Sequence, residues 1–158
     1  MHLWLLRHGK AEDRDRWTGD DAVRPLTKAG IEHARRVIDL LNAWVVASEI
    51  WSSPFVRARQ TAEIAAAEWK LPMREKAWLA AEAVDPATIA AKLTPRLDLV
   101  LVGHEPDLGV LAGWLTGGNP IPLKKAGLCH LEGEPTPGGM ELRALLPPKL
   151  ILGLAGDA

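Results

Sequence analysis

The chain has 158 residues, with 19 Lys and Arg against 20 Asp and Glu and a formal net charge of −1. That length suits one compact domain spanning 1–158, and the charge balance excludes the strongly basic footprint of a nucleic-acid-binding protein. The single cysteine, Cys129, excludes an internal disulfide and a multi-thiolate zinc site, and it points to a reducing, cytoplasmic setting.

Met1 leads directly into His2 to Leu6, a short apolar run bounded by a charged turn, which reads as a buried strand rather than a targeting segment. Residues 10–26 are polar and form a surface loop that Pro25 closes. Thr27 reads as an N-cap, and Ile31, Ala34, Val37, Ile38, Leu41 and Trp44 recur at helical spacing, predicting an amphipathic helix to about Val45. A brief strand at Glu49 to Ser52 follows. Ser53-Pro54 reads as an N-cap with proline at the first helical position, opening a helix to about Trp69. Beyond Pro72, Met73 to Leu79 suggests another strand, and Pro86 opens a short helix ending near Leu93. Leu97 to Val102 is the clearest buried strand. It ends in Gly103-His104-Glu105-Pro106, after which a helix runs to Leu115 and stops at Gly117-Gly118. Gly127 to Glu132 and Met140 to Leu146 read as an antiparallel pair. The apolar run Leu150 to Ala155 is far too short for a bilayer span, so no membrane association is expected. With seven Trp, one Phe and no Tyr, large aromatic volume in the core has to come from indoles.

Strands alternating with helices over 2–116 predict an α/β fold: a three-layer sandwich with a mixed, mainly parallel sheet flanked by helices, the last hairpin adding antiparallel or edge strands. Three turns then fall at carboxyl ends of strands, where open α/β sheets bind ligands. They are Leu6-Arg7-His8-Gly9, Ser52-Ser53-Pro54 leading to Arg57, and Val102-Gly103-His104-Glu105-Pro106. Together they supply two guanidiniums, two imidazoles and a helix N-terminus. Guanidiniums form bidentate bonds to phosphate oxygens, and helix N-termini add N–H donors, so the expected ligand is a tetrahedral dianion such as a phosphoryl group. Histidine can act as a nucleophile through a covalent phosphoenzyme. His8 suits that part if neighbouring cations keep it neutral and a backbone carbonyl fixes its tautomer. His104 then serves as a hydrogen-bond donor to the phosphoryl oxygens.

These three motifs, in this order and at these spacings, resemble the histidine phosphatase superfamily, also called the phosphoglycerate mutase-like fold. The short length, Arg24-Pro25-Leu26-Thr27 and Gly103-His104-Glu105-Pro106-Asp107-Leu108 are similar to its SixA branch, phosphohistidine phosphatases acting on histidine-containing phosphotransfer domains. The resemblance implies that His8 is phosphorylated, that Arg7, Arg57 and His104 complete the catalytic pocket, and that Asp21 and Arg24 bind substrate beside it. It implies no metal and no cofactor. The family's larger members carry an acid that protonates the leaving group. Here the corresponding loop offers only Glu82 and Asp85, with no motif to fix either. An imidazole leaves readily once protonated, whereas an alkoxide needs a proton donor, so the gap favours a P–N substrate.

The competing readings are a phosphatase of small phosphomonoesters and a phosphate-recognition module without catalysis. A metal site at His104, Glu105 and Asp107 is the weaker reading, because no His-x-x-x-His pair or cysteine set accompanies it and acids at a helix start favour the dipole. Arg59, the Lys124-Lys125 pair, His2, His33 and His130 read as structural or solvated. Asp21 and Arg24 read equally well as a surface ion pair.

Overall fold

The central strand β1 (His2–Arg7) buries side chains on both of its faces, Leu3 and Leu5 on one and Trp4 and Leu6 on the other. Strand β4 (Leu99–Gly103) repeats the division, with Leu99 and Leu101 opposed to Val100 and Val102. A strand covered on both faces has no position to spare for a polar residue, which explains why these two segments are continuous apolar runs. The computed structural model describes residues 1–80 and 83–156.

On one face of the sheet, Ile89 of α3 (Pro86–Ala90) and Leu108, Leu111 and Leu115 of α4 (Asp107–Thr116) close the first core. On the other face lie α1 (Lys28–Leu41), α2 (Val56–Trp69) and α5 (Pro148–Leu154). They contribute Val37, Ile38, Ala58, Ala62, Ala65 and Ile151 to the second core. The remaining strands are β2 (Glu49–Ser52), β3 (Met73–Glu75), β5 (Leu128–Gly133) and β6 (Met140–Leu146). The six-stranded sheet has the order β3-β2-β4-β1-β5-β6. Strands β1 to β4 are parallel, β5 is antiparallel to β1, and β6 is antiparallel to β5. This is the expected three-layer α/β sandwich with a mixed, mainly parallel sheet.

Register brings the working ends level. Arg7 lies beside Gly103 across β1 and β4, and Ser52 lies beside Val102 across β2 and β4. The three turns singled out in the sequence therefore leave the sheet along one edge.

Several boundaries differ from expectation, each for a local reason. Helix α1 ends at Leu41, where Asn42 N–H bonds the Asp39 carbonyl, so Trp44 loses helical register and is 59% exposed. Helix α2 starts at Val56 rather than at Pro54, because the Ser53 hydroxyl accepts the Phe55 N–H in a turn that precedes the helix. Strand β3 stops at Glu75, opposite the last residue of β2, and a 3-10 turn at Ala77–Leu79 follows. Helix α3 is shorter than predicted, with Asp85 capping it by accepting from Ala87 N–H at 3.0 Å. Helix α5 had no counterpart in the sequence reading, although Pro148 suits its first turn and Ile151 anchors it. The buried indoles do supply core volume, and each N–H is bonded: Trp4 to Val46 O, Trp69 to Ile38 O and Trp51 to Glu49 Oε2. Among the described residues, no helix is long and apolar enough to cross a membrane.

Candidate active site

His8 is the first residue beyond β1, and its backbone N–H bonds the Gly103 carbonyl at 3.1 Å. Its ring Nδ1 lies 2.7 Å from the Gly9 carbonyl. A carbonyl only accepts, so Nδ1 carries the proton and Nε2 keeps its lone pair. Gly9 is clamped in turn: its N–H donates to Thr61 Oγ1 at 3.0 Å, and that hydroxyl donates to the Arg57 carbonyl at 2.8 Å. A Cβ on Gly9 would meet Ala34, Gly30 and Leu26 at 3.4 Å each, so the backbone here packs flush against α1. The imidazole is nearly buried. That burial, with the charges of Arg57 and Arg7, outweighs the Gly9 bond and pushes its pKa down to about 3, so the ring is neutral at ordinary pH.

Arg57 comes from the first turn of α2 and is held by Asp21, which accepts its NH1 on the backbone carbonyl at 2.8 Å and its NH2 on Oδ2 at 2.9 Å. The other Asp21 oxygen accepts Arg24 Nε at 2.8 Å, and Arg24 NH1 reaches the Glu12 carbonyl at 2.6 Å. Burial alone would raise the Asp21 carboxyl, but the two arginines prevail and hold it below the usual range. Asp21 and Arg24 are thus more than a surface pair, since one carboxylate fixes two buried guanidiniums at the site wall.

His104 leaves β4 with its ring centroid 5.2 Å from that of His8. Its Nε2 lies 2.8 Å from Ser53 Oγ, while its buried Nδ1 has no protein partner. Burial and the Arg57 charge lower its pKa to about 4, so it carries one proton. The Ser53 hydroxyl, which already accepts the Phe55 N–H, has its own hydrogen to donate to Nε2, and in that tautomer the ring proton is on Nδ1, open to a ligand. Phe55 covers the His104 ring edge-on at 5.1 Å and lies under Arg57, whose guanidinium carbon is 5.1 Å from the Phe55 centroid.

Arg7 points its NH1 at the Leu123 carbonyl, 2.8 Å away, and leaves Nε buried without a protein partner. The Leu123 N–H is accepted by Glu105 Oε1 at 3.2 Å, so Glu105 anchors the strap that carries the Arg7 acceptor. Burial raises the Glu105 carboxyl despite that bond and the nearby Arg7 charge. The metal reading of His104, Glu105 and Asp107 does not match this arrangement. Among the described residues, no group of three or more His, Cys, Asp and Glu side chains is placed to hold an ion.

Arg7, His8, Arg24, Arg57 and His104 all line one cavity of about 620 Å³, together with Lys10, Glu12, Phe55, Glu105 and Lys125. Arginines stay protonated at any working pH, so the cavity floor presents fixed guanidiniums, one imidazole N–H and one imidazole lone pair. Such a set suits a phosphoryl group, which it can hold by its oxygens while a nucleophile stands beside it. The model of the histidine phosphatase superfamily (branch 1) matches residues 3–81. An uncharacterised protein of a Picosynechococcus species is 39% identical over 141 residues, covering 84% of this chain and 85% of that protein. The chain belongs to the histidine phosphatase superfamily. Its reaction class is accordingly that of a phosphatase.

Several solved structures share the fold. The protein histidine phosphatase SixA complexed with tungstate matches with a TM-score of 0.82 at 24% identity, covering 94% of this chain and 97% of that one. The alpha-ribazole phosphatase of Shigella flexneri matches at 0.73 and 20%, covering 94% and 97%. The phosphoserine phosphatase of Entamoeba histolytica, in complex with 3-phosphoglyceric acid, matches at 0.68 and 18%, covering 96% and 99%.

For a histidine phosphatase, the sequence reading overlooked the residues that hold the site rather than fill it. Thr61 fixes Gly9, Ser53 fixes His104, and Glu105 fixes the Arg7 strap. Lys125, read as half of a solvated pair, is on the cavity wall with Lys10. Position 125 precedes a strand that runs back along β1, so only the tertiary pairing brings it there. Of the two candidate acids, Asp85 is exposed and serves as the cap of α3, and Glu82 lies outside the described residues.

Proposed function

We propose that this protein is a metal-independent phosphohistidine protein phosphatase that works through a phosphorylated His8 and needs no cofactor. The carrying observation is the His8 Nδ1–Gly9 bond, which leaves a neutral ring with its lone pair on Nε2 in a cationic cavity. In the first step Nε2 attacks the phosphorus, a new P–N bond forms, and the P–N bond to the substrate imidazole breaks, that imidazole leaving with its proton. In the second step water attacks phospho-His8, and orthophosphate leaves as Nε2 recovers its lone pair. Arg7, Arg57 and the His104 Nδ1–H stabilise the charge on the equatorial oxygens in both steps. Asp21 and Arg24 position Arg57 and help bind substrate. Asp85 is engaged as the α3 cap, which argues against Asp85 as the acid that protonates a leaving group.

The second reading, a small phosphomonoester, draws on the cavity volume of about 620 Å³, which is ample for a metabolite. One assay separates the two. Wild type and His8→Ala are compared, in chelator, on a phosphorylated histidine phosphotransfer domain and on a panel of phosphomonoesters. The proposal predicts preference for the phosphorylated domain, an acid-labile and base-stable phosphoenzyme, and no turnover by His8→Ala. Turnover persisting in that variant, or activity lost to chelator, would overturn it. Tight orthophosphate binding without hydrolysis of any substrate would instead identify a recognition module.

A further inference from the structure

Once a phosphoryl group is seated on Arg7, Arg57 and His104, and Asp21 has neutralised much of Arg24, three cations of the cavity wall remain without a part in the chemistry: Lys10, Arg14 and Lys125. Arg14 has an interaction of its own, which leaves the two lysines. Both ammonium groups rise from backbones that are pinned rather than loose. The Lys10 carbonyl accepts the Thr27 N–H at 3.0 Å and packs so closely on α1 that a Cβ at Gly30 would fall 2.0 Å from it. The residue after Lys125, Ala126, donates its N–H to the carbonyls of Arg7 and His8 at 3.1 Å each, and it takes a left-handed φ of 59° to do so. The two lysines therefore stand beside the His8 turn on backbones that the fold holds in place.

The acids of the cavity wall, Glu12, Asp13 and Glu105, are outnumbered two to one by its cations. The cations facing Lys125 are Arg7, Arg24 and Lys10, and the opposing carboxylate is Asp13, whose Oδ1 is already engaged by the Asp15 N–H at 3.0 Å. In a chain with a formal net charge of −1, the wall is a local concentration of positive charge. Cations crowded at a concave wall are relieved by an anionic ligand, and a lysine ammonium on a flexible stem suits a single anionic group of variable geometry.

We infer that Lys10 and Lys125 form a second anion subsite, which takes a carboxylate or phosphate carried by the substrate beside its scissile phosphoryl group. This rests on the phosphoryl seat proposed above. The cavity, at about 620 Å³, is several times larger than a phosphoryl group needs and leaves room for both anions. The second anion is an acidic side chain flanking the phosphohistidine if the substrate is a protein, and a carboxylate on the same small molecule if it is a metabolite.

Two matched pairs of ligands test the subsite and separate its sources. The first is a phosphohistidine peptide flanked by Asp and Glu against the same peptide with Asn and Gln. The second is 3-phosphoglycerate against glycerol 3-phosphate, which lacks the carboxylate. Affinities are measured in His8→Ala, where nothing turns over, with and without the added changes Lys10→Met and Lys125→Met. In at least one pair the anionic member should bind about tenfold more tightly, and the double lysine change should erase most of that ratio. Orthophosphate binding in the same variants reports the phosphoryl seat separately, so its loss would indict that seat and not the subsite. If neither pair shows a preference, or if the preference survives in the double variant, the subsite is disproved.

Discussion

Thr61→Val tests how the nucleophile is held. Thr61 is fully buried, and its hydroxyl accepts the Gly9 N–H while donating to the Arg57 carbonyl. Valine keeps the shape but offers no acceptor, so the Gly9 N–H is orphaned in a site that water does not reach. Leaving such a donor unpaired costs about 1–3 kcal/mol. The Arg57 carbonyl keeps its helical partner, so the bond lost there adds at most about 1 kcal/mol, and burying a methyl in place of a hydroxyl returns a similar amount. The net expectation is a loss of about 1–2 kcal/mol, or a fall in Tm of about 2–8 °C for a domain of this size. Gly9 also supplies the carbonyl that holds His8 Nδ1, so kcat should fall about tenfold, roughly 1.4 kcal/mol in the barrier. Urea unfolding and steady-state turnover measure the two effects, and Thr61→Ser should restore turnover because it keeps the acceptor. If Thr61→Val lies within about 0.5 kcal/mol of wild type and turns over normally, the clamp on Gly9 has no role.

Ser53→Ala should lower kcat by about tenfold with little change in KM, because His104 loses the donor that directs its proton to Nδ1; a KM effect without a kcat effect would contradict this tautomer. His8 and His104 titrate at about 3 and about 4 in the folded chain, against a reference of 6.5. The unfolded chain therefore binds more protons between those values, so the stability these rings contribute is complete above about pH 6.5 and is lost as pH falls towards 3–4. Unfolding curves at pH 7 and pH 4.5 should show the loss, and His8→Asn and His104→Asn should each flatten it. Across a series of aryl phosphates, kcat/KM should rise steeply as the leaving-group pKa falls, and a flat dependence would reveal an acid that protonates the leaving oxygen.

The gathering of Arg7, His8, Arg57 and His104 in one cavity was legible in the sequence because each of them sits at a fixed short distance from a strand end. Arg7 and His8 follow an apolar run directly, His104 follows another, and Arg57 lies in the first turn of the next helix. Local periodicity and the rule that ligands meet parallel strands at their carboxyl ends were enough to gather them. The supports were not legible, because their partners are far away in the chain. Thr61 is 52 residues from Gly9 and Ser53 is 51 from His104, and nothing in either segment announces the partner. Ser53 even carried a misleading signal: Ser-Pro is a good helix start, yet its hydroxyl serves a turn and an imidazole instead. Trp44 misled in the opposite way, since three residues beyond the end of α1 an apolar residue no longer has a face to belong to.

The reversed direction of β5 has a consequence for how this site could change over time. A parallel strand in that place would begin at the far edge of the sheet, but β5 starts beside the end of β1, with Leu128 opposite Leu6. The segment from the end of α4 to Leu128 therefore opens onto the reaction cavity while carrying none of the four residues proposed for the chemistry. Residues 117–125 are nevertheless pinned at Ile121, whose N–H bonds the Gly109 carbonyl of α4, and at Leu123, which lies in the first core and holds Arg7 by its carbonyl, so the positions open to change are exposed ones such as Lys124 and Lys125. One strap thus holds a guanidinium of the site by its backbone and faces the cavity with an exposed side chain, so replacing side chains at 124 and 125, rather than the whole stretch, is the economical way to vary a substrate preference.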